Sequence, residues 1–198
     1  MKLLISGLLT VWVFVFFITS MTPAQRVMPA NTTQYLYLVG YSSDLTIPRM
    51  AWNKTCFKAG PARLLEDEWI NRTLSFLYVV ESNDVSVEDV RIEHNMTISF
   101  VIECSGVILR LEKNVSKYFG RNKDSYVIRY YTNNSLILSD LMAGIIDFMS
   151  PCSLWLTFPT TNISEVPEMT NRTFFTICPN ATFVGYDKGN CSKKHNWK

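Results

Sequence analysis

The chain has 198 residues, of which 47% are hydrophobic, and its formal net charge is only +2. So balanced a charge gives no electrostatic basis for binding nucleic acid, and the length suits one domain with a sizeable core. The chain has two histidines and lacks the H-E-x-x-H, G-x-S-x-G and C-x-x-C motifs and a glycine-rich phosphate loop. We therefore predict that it is not an enzyme and needs no cofactor or metal.

The N-terminus has the pattern of a secretory signal peptide. Met1-Lys2 precedes an apolar run from Leu3 to Ile18, and small residues follow, so we expect cleavage between about residues 20 and 24. The apolar run is shorter than the ~20 residues of a spanning helix. We predict a secreted, extracellular protein that has no membrane contact after cleavage, with residues 25–198 forming one domain.

Asn-x-Ser/Thr sequons are unusually dense in the remaining chain, which predicts a heavily glycosylated surface. The ten asparagines are Asn31, Asn53, Asn71, Asn95, Asn114, Asn133, Asn162, Asn171, Asn180 and Asn190. Asn190 lies next to a cysteine and is the sequon we least expect to carry a glycan.

Short runs rich in Val, Ile, Tyr, Phe and Thr, separated by polar turns, predict β-strands along most of the chain. The predicted strands are Tyr35–Tyr41, Thr55–Leu65, Thr73–Val80, Met96–Glu103, Val107–Glu112, Ser125–Thr132, Ser135–Leu141 and Cys152–Phe158. Regular short strands of this kind favour a sandwich or an up-and-down barrel, and composition alone does not choose between them.

One helix is predicted after the last strand. Ser164 and Pro167 can cap and start it, which would place Val166, Met169, Thr173 and Ile177 on one face.

The C-terminal third carries the most specific motifs. Cys152-Ser153-Leu154-Trp155, followed by Phe174-x-x-x-Cys178, resembles the tick salivary lipocalins, the family of the tick histamine-binding proteins. That family has C-E-L-W in the last barrel strand and F-x-x-x-C on the next helix. Tyr35–Val39 and Lys54–Ala59 are similar to its first two strands. The resemblance implies an all-β, eight-stranded antiparallel up-and-down lipocalin barrel with a short C-terminal helix packed outside.

Five cysteines leave one without an intramolecular partner in an oxidising compartment. Fully bridged relatives have six, and the bridge that this chain lacks maps to about Ser135 and Thr170. The resemblance thus implies two disulfides, Cys56–Cys191 and Cys152–Cys178.

The remaining cysteine, Cys104, is then either a shielded thiol or the partner in an intermolecular disulfide that gives a dimer. A catalytic thiol is disfavoured, because nothing places a histidine near it.

A barrel of this size holds a small ligand, and alternate residues of each strand line the cavity. The predicted ligand contacts are Trp155, Ser153, Leu136, Tyr37, Phe76, Tyr78, Phe100, Arg129 and Tyr130, with Trp52, Trp69 and Tyr131 as further candidate aromatics. Trp155 leads the set, since it occupies the tryptophan of the family motif.

The resemblance also indicates which ligand is disfavoured. In amine-binding relatives, carboxylates hold the cation, but this chain has Ser153 and about Leu136 at those positions. A buried ammonium without a carboxylate is costly, so an eicosanoid or fatty acid is favoured, with Arg110 or Arg129 as its partner. Alternatively, another acid replaces those missing, such as Asp147 or Glu103.

Two functions follow from the resemblance. The leading hypothesis is a salivary protein that sequesters a small host mediator without turnover, which would suppress host inflammation and haemostasis. The alternative is a protein-binding effector that uses the barrel as a scaffold to inhibit complement or another host defence protein.

Overall fold

A computed structural model describes residues 27–42, 52–80, 90–112, 124–141 and 150–192. The predicted signal peptide, Asn114 and Asp147 lie outside the described residues. Within these ranges, the strands are β1 Leu36–Ser42, β2 Trp52–Ala59, β3 Arg63–Leu64, β4 Ile70–Val80, β5 Val90–Glu103, β6 Ile108–Leu111, β7 Ser125–Thr132, β8 Ser135–Asp140, β9 Cys152–Leu156 and β10 Ala181–Phe183.

Eight strands form a closed antiparallel barrel, which confirms the predicted fold class. They follow the order β1-β2-β4-β5-β6-β7-β8-β9, and pairing between β1 and β9 closes the ring. The short β3 pairs with β4. Among the described residues, strand β1 pairs with β2 only at Leu36 and Tyr37, and β10 pairs with the end of β1 that β2 leaves open, Gly40–Ser42.

Two predicted strands have different bounds in the structure. The predicted strand Thr55–Leu65 is divided in the structure: β2 ends at Ala59, and β3 covers only Arg63–Leu64. The chain breaks the strand between them because Pro61 has no N–H to donate to a sheet. Conversely, β5 begins at Val90 and not at Met96. Glu93, His94 and Asn95 are consecutive exposed polar residues, so this part of the strand lacks the apolar alternation by which the other strands are predicted.

The barrel strands divide their side chains between two cores. Leu36 and Leu38 point into the barrel, whereas Val39 packs outside it. The outer core fills the space between the wall of β1, β8 and β9 and the C-terminal segment. Phe174 is its centre and is fully buried.

The predicted helix is present as α1, Glu168–Ile177, but it begins later than Ser164, and its buried face agrees with the predicted one only in part, at Val166 and Ile177. Pro167 precedes it, while Ser164 belongs to a 3-10 turn capped by the side chain of Asn162. The face against the barrel is made by Val166, Thr170, Phe174 and Cys178, spaced four residues apart. The predicted contact residue Met169 is 60% exposed.

Two disulfides tie the C-terminal segment to the barrel. Cys152 on β9 is bonded to Cys178 directly after α1, and the Cα atoms lie 5.5 Å apart. Cys56 on β2 is bonded to Cys191, at the end of the second helix α2, Lys188–Cys191, with a Cα separation of 5.4 Å. These are the two pairings that the resemblance implies.

The positions of the missing third bridge also meet in space. The hydroxyl oxygens of Ser135 and Thr170 lie 2.7 Å apart in a hydrogen bond, and both residues are fully buried. Cys104 is exposed in a 3-10 turn at a φ of 51°, so it is not a shielded thiol.

Most of the sequon asparagines whose side chains are described are exposed, namely Asn31, Asn95, Asn133, Asn162, Asn180 and Asn190. Asn71 and Asn171 are only half-exposed, and the side-chain oxygen of each is buried without a hydrogen-bond partner.

Candidate ligand-binding cavity

The interior of the barrel holds a cavity of about 130 Å³. A single water needs roughly 10–15 Å³ on this scale, so the cavity is many times larger than a water site. Its wall is mostly aliphatic and aromatic and is formed by Ala30, Leu36, Leu38, Phe57, Ala59, Arg72, Leu74, Ile98, Phe100, Leu109, Leu111, Tyr126, Leu136, Leu138, Asp140, Ser153 and Trp155. Lining residues alternate along each strand, as the pleat of a barrel wall requires.

One end of the cavity is closed by the N-terminal 3-10 turn Pro29–Asn31 and by Arg72. The Arg72 guanidinium is 2% exposed and donates five hydrogen bonds of 2.6–3.0 Å, to the backbone carbonyls of Pro29, Ala30, Thr32, Gln34 and Gly60. A guanidinium has five N–H groups, so every donor is used within the protein. Burial lowers the pKa of Arg72 to about 10, which still leaves it cationic at neutral pH.

The opposite end carries the polar side chains of Tyr126, Asp140 and Ser153. Tyr126 is the second residue of β7 and pairs with Asp140 at the end of β8, while Ser153 lies near the start of β9. The pKa of Tyr126 is raised mainly by burial and to a smaller extent by the carboxylates of Asp140 and Asp124. Its hydroxyl therefore keeps its proton at neutral pH. The cavity therefore has one acid-bearing polar end.

Four of the predicted contacts meet in the wall: Phe100, Leu136, Ser153 and Trp155. Leu136 lies directly opposite Trp155 in the β8–β9 register, and the indole N–H of Trp155 donates to the Ser153 hydroxyl at 2.9 Å. The two positions at which amine-binding relatives carry acids thus face the cavity as an apolar side chain and a hydroxyl.

Phe76 also belongs to the core inside the barrel, but it does not line the cavity. Its ring stacks on Phe57, with centroids 5.0 Å apart, and Phe57 lines the cavity in its place. Tyr78 pairs with Trp52 in the β2–β4 register, and only the backbone of this pair is described.

Tyr37, Tyr130 and Arg129 do not face the cavity, so their prediction as ligand contacts is wrong. Tyr37 alternates with the inward Leu36 and Leu38, and its ring packs outside against Tyr186 at 4.8 Å. A bulge between Ile128 and Tyr130 shifts the alternation of β7 and turns Tyr130 outward. Arg129 lies in this bulge and donates to the Ser139 hydroxyl at 2.8 Å.

The other candidates are also elsewhere. Arg110 and Glu103 form an ion pair with each other, and both side chains are more than a third exposed. Trp69 borders a surface groove beside Leu65, separate from the cavity. Tyr131 packs against the inner core without lining the cavity.

Sequence reasoning missed Arg72, Tyr126 and Asp140. A charged residue in a strand is usually taken to face solvent, and so the sequence offers little to distinguish Arg72. For Asp140 a signal existed, because Leu136, Leu138 and Asp140 alternate along β8 and therefore share one face.

Neither a metal site nor a spanning helix is found in the described part of the chain. It contains no cluster of three or more His, Cys, Asp or Glu residues that could hold a metal. None of its helices has the length and apolar character needed to cross a membrane.

No family model matches the chain. It is 31% identical over 191 residues to Japanin-like-RS from Rhipicephalus sanguineus, covering 95% of this chain and 98% of that protein. Japanin from Rhipicephalus appendiculatus is 32% identical over 191 residues, with the same coverage. The structure of Japanin bound to cholesterol matches with a TM-score of 0.60 at 32% identity, over 82% of this chain and 99% of that chain. Similarity at this level over nearly the whole chain, together with the barrel and its disulfides, places the protein in the Japanin family of tick salivary lipocalins.

Proposed function

We propose that this protein is secreted into tick saliva and holds one lipophilic host mediator in its barrel. It binds the mediator without turnover and removes it from solution, which suppresses inflammation and haemostasis at the feeding site. The observation that carries the proposal is the cavity inside the barrel, whose wall is mostly apolar. Small-molecule sites have this character, in which apolar walls provide the binding energy and a few polar groups provide the orientation.

Two further observations support a lipid over a histamine-type amine. Leu136 and Ser153 stand where amine-binding relatives carry acids, and both line the cavity. The structure of the relative Japanin holds cholesterol, a lipid with a largely apolar body. Sterols, eicosanoids and fatty acids all belong to the proposed class.

Equilibrium titration tests this proposal. Protein made in a eukaryotic secretory host is titrated with radiolabelled cholesterol, a leukotriene, a fatty acid, histamine and serotonin. We expect one lipid per chain and weaker binding of histamine and serotonin, because their small bodies contact little of the apolar wall. Ala59→Trp places an indole in the cavity and should abolish lipid binding, because Ala59 lines the wall.

Thr176→Trp is the matched control, since it adds the same side chain at an exposed position of α1. It should bind lipid as the wild type does. Equal binding by wild type and Ala59→Trp would contradict the proposal. A protein that binds none of the lipids but co-purifies with a host plasma protein would favour the protein-binding alternative.

Secretion and glycosylation are part of the same proposal. N-terminal sequencing of the secreted protein should find a start between about residues 20 and 24. Peptide mapping after enzymatic deglycosylation should show high occupancy at exposed sequons such as Asn95 and Asn133. Asn71 and Asn171 should show low occupancy because their side-chain oxygens are buried, and Asn190 should show the lowest because it lies next to Cys191.

A further inference from the structure

The two ends of the cavity differ in what they can offer a ligand. At the closed end, all five N–H donors of Arg72 are bound to backbone carbonyls. A ligand carboxylate at this end would lie near the positive charge of Arg72, but no N–H group of the guanidinium is left to donate to it. It therefore could not form the bidentate pair by which arginine usually binds an acid.

At the other end, an acid lines the wall. Asp140 is 4% exposed and closes the alternating series Leu136, Leu138 and Asp140 on the inner face of β8. Tyr126 lies directly opposite on β7, and the side chains of such cross-strand partners are neighbours on one face. An ionised carboxylate has about four acceptor sites, so Asp140 can accept a donor from a ligand in addition to its contacts within the protein.

We propose that Asp140 and Tyr126 select the head group of the bound lipid: they accept a neutral hydroxyl or a cationic amine and reject a carboxylate. This inference rests on the proposed lipid-binding function and narrows it. The favoured ligand has a long apolar body that fills the cavity and one hydrogen-bond donor at the acid-bearing end. Fatty acids and acidic eicosanoids are then poor ligands, although their apolar bodies suit the wall.

Charge explains the discrimination. A ligand carboxylate beside Asp140 would bring two like charges together in a site shielded from water, where their repulsion is strong. A hydroxyl donates to the carboxylate and accepts from the Tyr126 phenol. An ammonium gains an ion pair that offsets its loss of hydration.

Lipids with the same tail and different head groups test the inference. The protein is incubated at neutral pH with equal amounts of oleyl alcohol, oleylamine and oleic acid, and native mass spectrometry gives the ratio of complexes. We expect the alcohol and the amine each to exceed the acid by at least about tenfold, because only the acid places a like charge beside Asp140.

Asp140→Asn removes the charge with little change in shape, and we expect the alcohol and acid complexes then to agree within about threefold, because the repulsion is gone. Tyr126→Phe should weaken alcohol binding while acid binding stays poor. Glu165→Gln, which removes an exposed carboxylate outside the barrel, should keep the wild-type ratio.

The outcomes separate the two proposals. If none of the three lipids binds, the lipid-binding function is wrong and the inference falls with it. If all three bind the wild type equally, the cavity binds lipids but the selection is wrong. The wild-type ratio decides this even if Asp140→Asn does not fold, and an unchanged ratio in a folded Asp140→Asn protein would also overturn the role of Asp140.

Discussion

The hydrogen bond between Ser135 and Thr170 stands where the family's third disulfide maps, and restoring that bridge should stabilise the barrel. The hydroxyl oxygens are 2.7 Å apart, between residues that are fully buried. A disulfide requires sulfurs about 2.0 Å apart on Cβ atoms about 3.5–4.5 Å apart, so Ser135→Cys/Thr170→Cys should bond with only small shifts.

The expected gain follows from the chain closed by the bridge. The two residues are 35 positions apart, for which the chain-entropy model gives roughly 3–4 kcal/mol. The substitution removes the Ser135–Thr170 hydrogen bond and the one between Ser135 and Thr132, at about 1 kcal/mol each. The net gain is about 2 kcal/mol, which should raise Tm by about 4–8 °C for a chain of this size.

Calorimetry under non-reducing conditions measures this shift, in a Cys104→Ser background that prevents mispairing. Thiol titration establishes that the bridge has formed. Each single cysteine variant serves as a control and should melt below the wild type. A fully bridged double variant with an unchanged or lower Tm would refute the reasoning.

Three further changes test other parts of the fold. Arg72→Ala removes five hydrogen bonds to backbone carbonyls and should lower the free energy of unfolding by about 3–5 kcal/mol in urea titrations, with a smaller loss for Arg72→Lys. A loss under about 1 kcal/mol would contradict the proposed closure of the barrel end. Gly40→Ala brings a methyl group to 3.0 Å from the Phe174 ring and should cost about 1–3 kcal/mol in the same assay, whereas unchanged stability would mean that α1 is loosely packed. Burial, followed by Tyr37 and Glu93, raises the pKa of Tyr186 to about 12, so the folded state retains this proton longer than the unfolded chain does and stability should fall between pH 10 and about 12. Tyr186→Phe should lessen that fall, and an identical pH profile would contradict the assignment.

The barrel itself could be predicted because its strands follow simple patterns. Alternating apolar residues and polar turns located most strands, and the motifs around Cys152 and Phe174 selected a lipocalin barrel from the all-β alternatives. The cysteine pairing came from the same resemblance, since spacing alone permits several connectivities.

The cavity wall was harder to predict, because this barrel has apolar surface on both faces of several strands. Tyr37 and Tyr130 are as apolar as true lining residues, but they belong to the outer core beneath α1. The bulge at Arg129 reverses the alternation of inward and outward side chains within β7, and no glycine or proline in the sequence of this strand predicts the bulge. The buried face of α1 was hard to predict for the same reason. Its apolar side chains lie on all sides of the helix, and packing against the barrel determines which of them are buried.

The polar ends of the cavity were missed for a different reason. Arg72 and Asp140 are charged residues in strands, and in most proteins such residues face water. Their surroundings depend on groups elsewhere in the chain, namely the N-terminal carbonyls for Arg72 and Tyr126 for Asp140. Docking of the N-terminal turn brings the first set together, and pairing of β7 with β8 brings the second.

The most direct test of the central claim is to identify what the secreted protein carries after incubation with host plasma. Lipid extracted from the purified protein is identified and counted by mass spectrometry, with Ala59→Trp treated in parallel. We predict about one lipid per chain with a neutral hydroxyl or an amine as its head group, and none in the variant. An empty wild-type barrel, or the same lipid content in the cavity-filled variant, would contradict the claim that this cavity is the binding site.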